Sequence, residues 1–330
     1  MNYNYKNLVF SGGGVLGIAY IGALDYLYQT NLIHSIVNLA GTSAGAITAC
    51  ITAFNLPFDE LKAIIDTLEY SKVPVKDQNR EKTLDEQRII PKAVKDQFSG
   101  IFDNIDCVVR LLKSFGWYSS EYLYSWLQEH IATQFNPLLK APPYTFADFS
   151  NPNLHIDKRP FKNLYVLGTD IVNGTSSVFS NETTPDMEVA EAVRISMSVP
   201  LLFESIKTCC NTSRNEPESI YIDGGMLYNY PITLFDEQYP LDETLGLYFQ
   251  STPKPATINN LVDFISATLA CSGRIQNELF LSNPININRS IRIQTGDISA
   301  FDFSIATGDD TYNFLCTQGY RAAEIYFSLL

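Results

Sequence analysis

The distribution of apolar and polar positions predicts alternating strands and helices at the start of the chain. The apolar run NLVF at 7–10 is typical of a buried strand. A second strand is predicted at 35–40 and a helix at 44–54. Between the two strands, apolar residues recur with helical spacing over 15–30, at Leu16, Ala19, Tyr20, Ala23, Leu24 and Leu27. This order favours an α/β fold with a mostly parallel sheet and covering helices.

The later part of the chain repeats this pattern. Helical periodicity returns near 257–281 and 308–328. Further strands are predicted at 163–169, 175–180, 219–222, 244–249 and 290–294. A length of 330 residues suits one large domain or two ordinary ones.

Two segments between these elements differ from the rest. Residues 71–98 are charged and mixed in sign, which is typical of a solvated helix or loop, and also of a mobile insert that covers a site. Residues 105–131 are rich in aromatic and large apolar residues, which favours core packing, with a lipid-facing cap as the alternative. We predict a lid or insert at about 71–130, and expect Trp117 and Tyr118 to contact lipid if the segment docks on a membrane.

Composition and charge exclude several classes of function. Hydrophobic residues make up 45% of the chain, so a substantial core can form. The formal net charge of −13 argues against a nucleic-acid partner and against general attraction to anionic membranes. We find no signal-peptide pattern and no apolar run long enough to span a membrane, and therefore expect a cytoplasmic or peripheral-membrane protein. The six cysteines lack metal-binding spacing, so we predict no metal site.

The glycine-rich loop after the first strand allows two interpretations. Gly12-x-Gly14-x-x-Gly17 matches the dinucleotide-binding fingerprint, in which glycines let the backbone approach a pyrophosphate. That fingerprint also needs an acidic residue near the end of the second strand, where this chain has IVNLAGTSAG. Since no acid is present there, dinucleotide binding is disfavoured, and the alternative is a loop that holds an oxyanion.

The second glycine motif contains a candidate nucleophile. Gly41-Thr42-Ser43-Ala44-Gly45 is a G-x-S-x-G sequence between a predicted strand and a predicted helix. In such a turn the serine backbone is strained and its neighbours must be small, which accounts for Gly41 and Gly45. The turn exposes the serine hydroxyl at a helix N-terminus, so Ser43 is the predicted nucleophile.

A nucleophilic serine needs a base, and histidine is a poor candidate here. The chain has only His34, His130 and His155, and none follows in the Ser–acid–His order of α/β-hydrolases. Asp223 ends the predicted strand IYID and is followed by two glycines. Sites of open α/β sheets lie at strand carboxyl ends, so Asp223 is a candidate for a carboxylate that acts alone, although a DGG sequence is also typical of an ordinary turn.

Together, SGGGVLG, GTSAG and DGG resemble the motifs of the patatin-like phospholipases in order and spacing. The segments LGTDIVNGTSSVFS, VRISMSVPLLFE and GYRAAEIYF are similar to others of that family, so the resemblance covers nearly the whole chain. It implies a patatin-like three-layer α/β sandwich, with a mostly parallel central sheet flanked by helices, as a single domain over 1–330.

The resemblance also implies an activity and its residues. The expected activity is that of a serine esterase with a Ser–Asp dyad, which cleaves fatty-acyl esters of phospholipids as a phospholipase A or lysophospholipase. Ser43 is implied as the nucleophile and Asp223 as its base, without metal or cofactor. The backbone N–H groups of the glycine loop are implied as the oxyanion hole, at Gly12, Gly13 and Gly14. Supporting positions of the motifs are Gly17, Gly41, Gly45, Gly224 and Gly225.

One residue departs from the common family pattern. Leu16 occupies the position of a Lys or Arg in many relatives, whereas some triglyceride lipases of the family have an apolar residue there. A neutral-lipid (acylglycerol) lipase is therefore one alternative, and a catalytically silent binding protein with the patatin fold is another.

The motifs and the segment GWYSSEYLYSWLQEHI are most similar to the bacterial branch that includes secreted effector phospholipases. That branch implies a phospholipid membrane surface as peripheral partner. It leaves open a protein or small-molecule activator and secretion by a non-classical route.

Overall fold

The computed structural model describes residues 4–74, 105–208, 219–250, 258 and 261–329. The strands are β1 (Asn7–Phe10), β2 (Asn38–Thr42), β3 (Gly116–Tyr118), β4 (Asn163–Asp170), β5 (Thr175–Phe179), β6 (Leu201–Phe203), β7 (Ile206–Thr208), β8 (Ser219–Asp223), β9 (Thr244–Gln250) and β10 (Ser290–Gln294). The helices are α1 (Ala19–Gln29), α2 (Ala44–Ala53), α3 (Phe58–Ile65), α4 (Ile105–Ser114), α5 (Glu121–Ala132), α6 (Phe146–Phe149), α7 (Val189–Ser196), α8 (Gly225–Tyr228), α9 (Leu261–Leu281), α10 (Pro284–Asn288) and α11 (Asp310–Ser328).

The main sheet combines a parallel centre with an antiparallel edge. Its strand order is β10-β9-β1-β2-β4-β8-β7, and β5 also pairs with β4. The five strands from β10 to β4 are parallel, whereas β5 and β8 run antiparallel to β4, and β7 antiparallel to β8. A separate two-stranded sheet pairs β3 with β6. The predicted, mostly parallel sheet with flanking helices is thus confirmed.

A row of polar side chains, buried except for Asn163 at its end, fixes the register of the central strands. Asn163 Nδ2 donates to Asn38 Oδ1 at 2.8 Å, and Asn38 Nδ2 donates to Asn7 Oδ1 at 2.7 Å. Asn7 Nδ2 in turn donates to Thr244 Oγ1 at 3.0 Å. Buried amides need partners, so a one-residue slip of any of these strands breaks the row. The carboxyl ends of β1 and β2, where the glycine motifs lie, are therefore held level.

Helices cover both faces of this sheet. The larger apolar core lies on the face that carries Leu8 and Leu39, under α1, α2, α7 and α11. The opposite face carries a smaller cluster, and α9 packs beside it through Phe280, whose ring contacts Tyr230 and Tyr248. That smaller cluster consists of Val9, Ala40, Tyr165 and Phe235.

Most of the predicted elements are confirmed, with differences at some boundaries. The helix predicted at 15–30 is observed at Ala19–Gln29 and follows a 3₁₀ helix over Gly14–Ile18. The strand predicted at 35–40 is observed at 38–42. Residues Leu32–Ser35 form a 3₁₀ turn instead. The buried Lys162 ammonium donates to the carbonyl of Ile33 within this turn and to that of Ile36 directly after it. A side chain from a distant segment therefore stabilises the turn, which local apolar patterning does not reveal.

The predicted lid concerns mainly residues 75–104, which lie outside the described residues. In the described part of 105–131, Leu123, Trp126 and Leu127 are buried, and Trp117 and Tyr118 are half-buried. Core packing thus accounts for the buried residues of this segment, whereas Leu112 is 55% exposed and Phe115 is 46% exposed, and docking of the segment on lipid stays a prediction. In the described ranges of the chain, no helix has both the length and the apolar character required to cross a membrane.

Candidate active site

Ser43 lies in a strained turn between β2 and α2. Its backbone angles are φ 54° and ψ −123°, a conformation that costs free energy for a residue with a side chain. The neighbouring glycines allow the turn to close. A Cβ on Gly41 would lie 2.1 Å from the Gly45 carbonyl oxygen, and one on Gly45 would lie 2.5 Å from that of Phe10. Any larger residue would push the turn apart, so both glycines position Ser43.

Asp223 reaches the same level of the sheet by antiparallel pairing. The last pair between β2 and β4 is Thr42 with Leu167. The next residue of β4, Gly168, pairs with Asp223 at the end of β8. The prediction of Asp223 relied on the rule that sites lie at the carboxyl ends of parallel strands. Because β8 is antiparallel to β4, that rule does not explain the position of Asp223. The extension of β4 beyond β2 brings Asp223 to Ser43.

The Asp223 carboxyl is buried and hydrogen-bonded. It is 5% exposed, accepts the Gly225 N–H at 2.6 Å, and accepts the Ser43 hydroxyl. Burial raises its pKa to about 6, and the hydrogen bonds from Ser43 and Gly225 partly offset this rise. A carboxylate with this pKa is a better proton acceptor than one in water, where the value is about 3.9.

The glycine loop presents backbone donors beside Ser43. A Cβ on Gly12 would lie 3.2 Å from Ser43 Cβ, so the loop approaches the nucleophile closely. The Gly12 N–H donates to the Asn229 carbonyl at 3.0 Å. Within the described ranges, the Gly13 and Gly14 N–H groups have no acceptor. Of the three amides predicted to form the oxyanion hole, that of Gly12 is therefore already hydrogen-bonded, whereas those of Gly13 and Gly14 stay candidates.

One cavity joins these groups. It has a volume of about 180 Å³ and is lined by Gly12, Gly13, Gly14, Ser43, Asp223 and Gly225 at its polar end. Most of the remaining wall is apolar and includes Ile47, Leu68, Val73, Leu123, Val199, Phe203, Phe301 and Phe303. Among the described lining residues, Asp223 is the one charged side chain. The cavity thus offers an apolar binding space next to the Ser43 hydroxyl, the Asp223 carboxyl and the Gly13 and Gly14 amides.

The remaining motif glycines support this arrangement by close packing. A Cβ on Gly17 would lie 3.1 Å from Ala44 Cβ. One on Gly224 would lie 2.5 Å from the Leu167 carbonyl oxygen. Gly17 thus brings the glycine loop against α2, and Gly224 brings the Asp223 loop against β4.

Ser196 and Asn229 also belong to the site. In the sequence, Ser196 is noted only as the start of a family-like Ser-x-x-x-Pro segment, Ser196 to Pro200, and neither residue has a predicted role. Ser196 Oγ accepts the Ser43 N–H at 2.9 Å and is fully buried, so it holds the strained turn. Asn229 lines the cavity between the glycine loop and Gly225. Ser196 occurs in the quoted segment VRISMSVPLLFE, and Asn229 follows the DGG motif by four residues, but only the fold shows what their side chains contact.

We expect Ser196→Ala to destabilise the protein and to impair the site. The change leaves the buried Ser43 N–H without its acceptor, which costs about 1–3 kcal/mol of unfolding free energy. Urea denaturation measures this loss. Ser198→Ala is the matched control, because Ser198 is equally buried but its hydroxyl donates to the Arg194 carbonyl. An equal loss of Ser43 reactivity in both variants would contradict a specific role of Ser196.

The histidines have structural contacts away from the cavity. His155 is buried, stacks on Phe161 at 3.6 Å between ring centroids, and faces the Asp148 and Arg159 carbonyls. His130 contacts the Thr67 hydroxyl, and His34 is exposed. None of the three lines the cavity. Among the described residues, no group of three or more His, Cys, Asp or Glu is arranged to hold a metal ion.

Comparisons with known proteins agree with this architecture. The chain is 27% identical over 328 residues to protein R571 of Acanthamoeba polyphaga mimivirus, covering 94% of this chain and 90% of that protein. It is 27% identical over 230 residues to the probable lipid hydrolase 463L of invertebrate iridescent virus 6, covering 70% and 63%. VipD of Legionella pneumophila shares the fold, with a TM-score of 0.60 and 22% identity over 99% of this chain and 67% of VipD. The family model for patatin-like phospholipases matches residues 8–236. The chain therefore belongs to the patatin-like phospholipases, a family of lipid ester hydrolases.

Proposed function

We propose that this protein is a serine acyl hydrolase that cleaves fatty-acyl esters of phospholipids, of the phospholipase A or lysophospholipase type, through Ser43 and Asp223. The observation that carries this proposal is the Ser43 hydroxyl, held in a strained turn and hydrogen-bonded to a buried carboxyl at the polar end of an apolar cavity. The apolar wall suits a fatty-acyl chain, and the polar end suits the ester carbonyl.

The proposed reaction has two steps. Ser43 Oγ attacks the ester carbonyl carbon while Asp223 accepts the hydroxyl proton. The charged tetrahedral oxygen accepts the Gly13 and Gly14 N–H groups, each worth about 3 kcal/mol in transition-state stabilisation. The tetrahedral intermediate collapses, and the leaving alcohol takes the proton from Asp223. Water, deprotonated by Asp223, then attacks the acyl-enzyme, and the fatty acid leaves as Ser43 recovers its proton.

Fatty-acid release from phosphatidylcholine vesicles tests the proposal. We expect release by the wild type, together with covalent labelling of Ser43 by a fluorophosphonate probe. A labelled protein that releases no fatty acid points to a different ester or a missing activator. A folded protein that neither releases fatty acid nor reacts with the probe contradicts the proposal and favours the catalytically silent binding protein.

Leu16 and the lack of a cationic side chain in the described cavity lining favour one second candidate, an acylglycerol lipase. Leu16 is buried, and no Lys, Arg or His occurs among the described residues that line the cavity. A head-group phosphate therefore has no cationic partner there. Hydrolysis of diacylglycerol and of phosphatidylcholine, each dispersed in the same vesicles, distinguishes the two. A strong preference for diacylglycerol would replace the phospholipid proposal.

We further propose that the substrate is met at a lipid surface. The net charge of −13 predicts weak binding to anionic vesicles and better binding to zwitterionic ones. The proposed location is cytoplasmic or peripheral to a membrane. An activator or a non-classical export route fits the same proposal, and adding cell extract to the vesicle assay tests the activator.

The pH dependence should report the ionisation of Asp223. The carboxyl must be unprotonated to accept the Ser43 proton, and burial raises its pKa to about 6. We therefore expect kcat/KM to fall about tenfold for each pH unit below about 6, and to level off above it. The profile is measured with an ester that does not ionise. A midpoint near the ordinary aspartate value of about 4 would contradict the buried base.

A further inference from the structure

Helix α9 turns one side toward the loop that follows Asp223. Ser272, Gln276 and Phe280 are spaced four residues apart and share that side. Positions beside this inner side are open to solvent, since Ile275 is 63% exposed and Leu279 is 68% exposed. The inner side therefore provides the contacts of this part of α9 with the active-site loop.

Gln276 uses both ends of its amide on that loop. Its Oε1 accepts the Asn229 N–H at 2.7 Å. Its Nε2 donates to the Gly225 carbonyl at 2.9 Å and to the Met226 carbonyl at 3.2 Å. The loop helix α8 has only four residues, so its carbonyls have few partners within the helix. Gln276 supplies hydrogen-bond partners for these carbonyls. The Ser272 hydroxyl donates a further bond to the Met226 carbonyl at 3.0 Å.

The two residues at the ends of this contact, Gly225 and Asn229, are hydrogen-bonded to different parts of the site. The Gly225 N–H donates to Asp223 Oδ1 at 2.6 Å, so Gly225 holds the base. The Asn229 carbonyl accepts the Gly12 N–H at 3.0 Å, so Asn229 holds the glycine loop. Gln276 is hydrogen-bonded to both Gly225 and Asn229. It fixes the distance between the base and the oxyanion donors without touching either.

We propose that Gln276 is a positioning residue of the acyl hydrolase, which from α9 holds the Asp223 loop and the glycine loop in register with each other. This inference rests on the proposed function. Small displacements of catalytic groups cost large factors in rate, about 10²-fold for 1 Å. Loss of the contact therefore lowers kcat more than it changes substrate affinity, because the apolar wall of the cavity stays intact.

The test compares Gln276→Met with Asn277→Met. Methionine keeps the length of the glutamine side chain and removes its hydrogen bonds. Asn277 is the adjacent, exposed amide, so its variant controls for the substitution itself. We expect kcat, normalised to the fraction of Ser43 that a fluorophosphonate titrates, to fall 10- to 100-fold for Gln276→Met, with KM within twofold. Ser272→Ala, a milder change, should lower kcat two- to fivefold.

Hydrogen exchange provides a readout that does not require catalysis. Amides of 7–17 and 223–230 should exchange faster in Gln276→Met and at wild-type rates in Asn277→Met. Faster exchange in both segments together with the loss in kcat supports the proposal. Unchanged exchange, or unchanged kcat per titrated site, overturns it. If the folded wild type neither hydrolyses a lipid ester nor reacts with the probe, the proposed function fails, and the exchange comparison still decides whether Gln276 holds the two loops.

Discussion

Replacing Ser43 with Ala, or Asp223 with Asn, is expected to lower kcat on a lipid ester by about 10⁴-fold or more. The first change removes the attacking oxygen, and the second removes the only carboxylate that accepts the Ser43 hydroxyl in the described cavity. Fatty-acid release from vesicles measures the loss. The double variant should be no slower than either single variant, because the two residues act in the same step.

Thermal denaturation controls for folding in these variants. Burial raises the pKa of Asp223 in the folded protein to about 6, above its value in the unfolded chain. The folded protein therefore loses stability as the pH rises from the unfolded-state pKa through about 6, because the buried carboxyl becomes charged. Asp223→Asn removes this cost and should melt at least as high as the wild type at pH 8. A folded Asp223→Asn variant with near-normal kcat would contradict the dyad and call for a different base.

Gly14→Ala is expected to lower kcat by about 10²–10³-fold, the usual effect of losing one oxyanion donor. Gly14 has a φ of +55°, and a Cβ at this position would lie 2.0 Å from the Ala300 carbonyl oxygen. The loop must shift to accommodate it, which moves the Gly13 and Gly14 N–H groups. Steady-state kinetics should show the change in kcat with little change in KM, since the oxyanion exists only in the transition state and the intermediate.

Gly174→Ala is the matched control for this substitution. Gly174 has a similar φ of +66°, but a Cβ there has no atom within 4 Å. Both variants carry the strain of a left-handed alanine, and only Gly14→Ala disturbs the glycine loop. Equal activity of the two variants would show that the Gly14 amide is not an oxyanion donor.

Much of the central sheet follows from local patterning. The strands at 163–170, 244–250 and 290–294 are short apolar runs between polar or turn-forming residues, and they are observed within one residue of their predicted bounds. The small strands β3, β6 and β7 were not predicted. Each has only three residues, too few for a periodicity to be recognised.

Some residues of the candidate site are likewise recognisable from the sequence, and others are not. Ser43 and its glycines are recognisable because the strained turn demands small residues at fixed spacing. Asp223 is recognisable because it ends a strand before two glycines. The contacts of Ser196 and Gln276 are not recognisable, since a serine in a helix and a glutamine in a long helix have no sequence signal for their partners.

The sequence by itself determined the fold class, the family motifs and the two residues proposed to react. It could do so because these depend on short-range geometry, namely strand and helix periodicity and the sterics of tight turns. Only the tertiary structure decided that Gly12 donates to Asn229, that Asp223 arrives on an antiparallel strand, and that its carboxyl is buried enough to raise its pKa. These properties depend on contacts between segments far apart in the chain, and local patterning carries no information about such contacts.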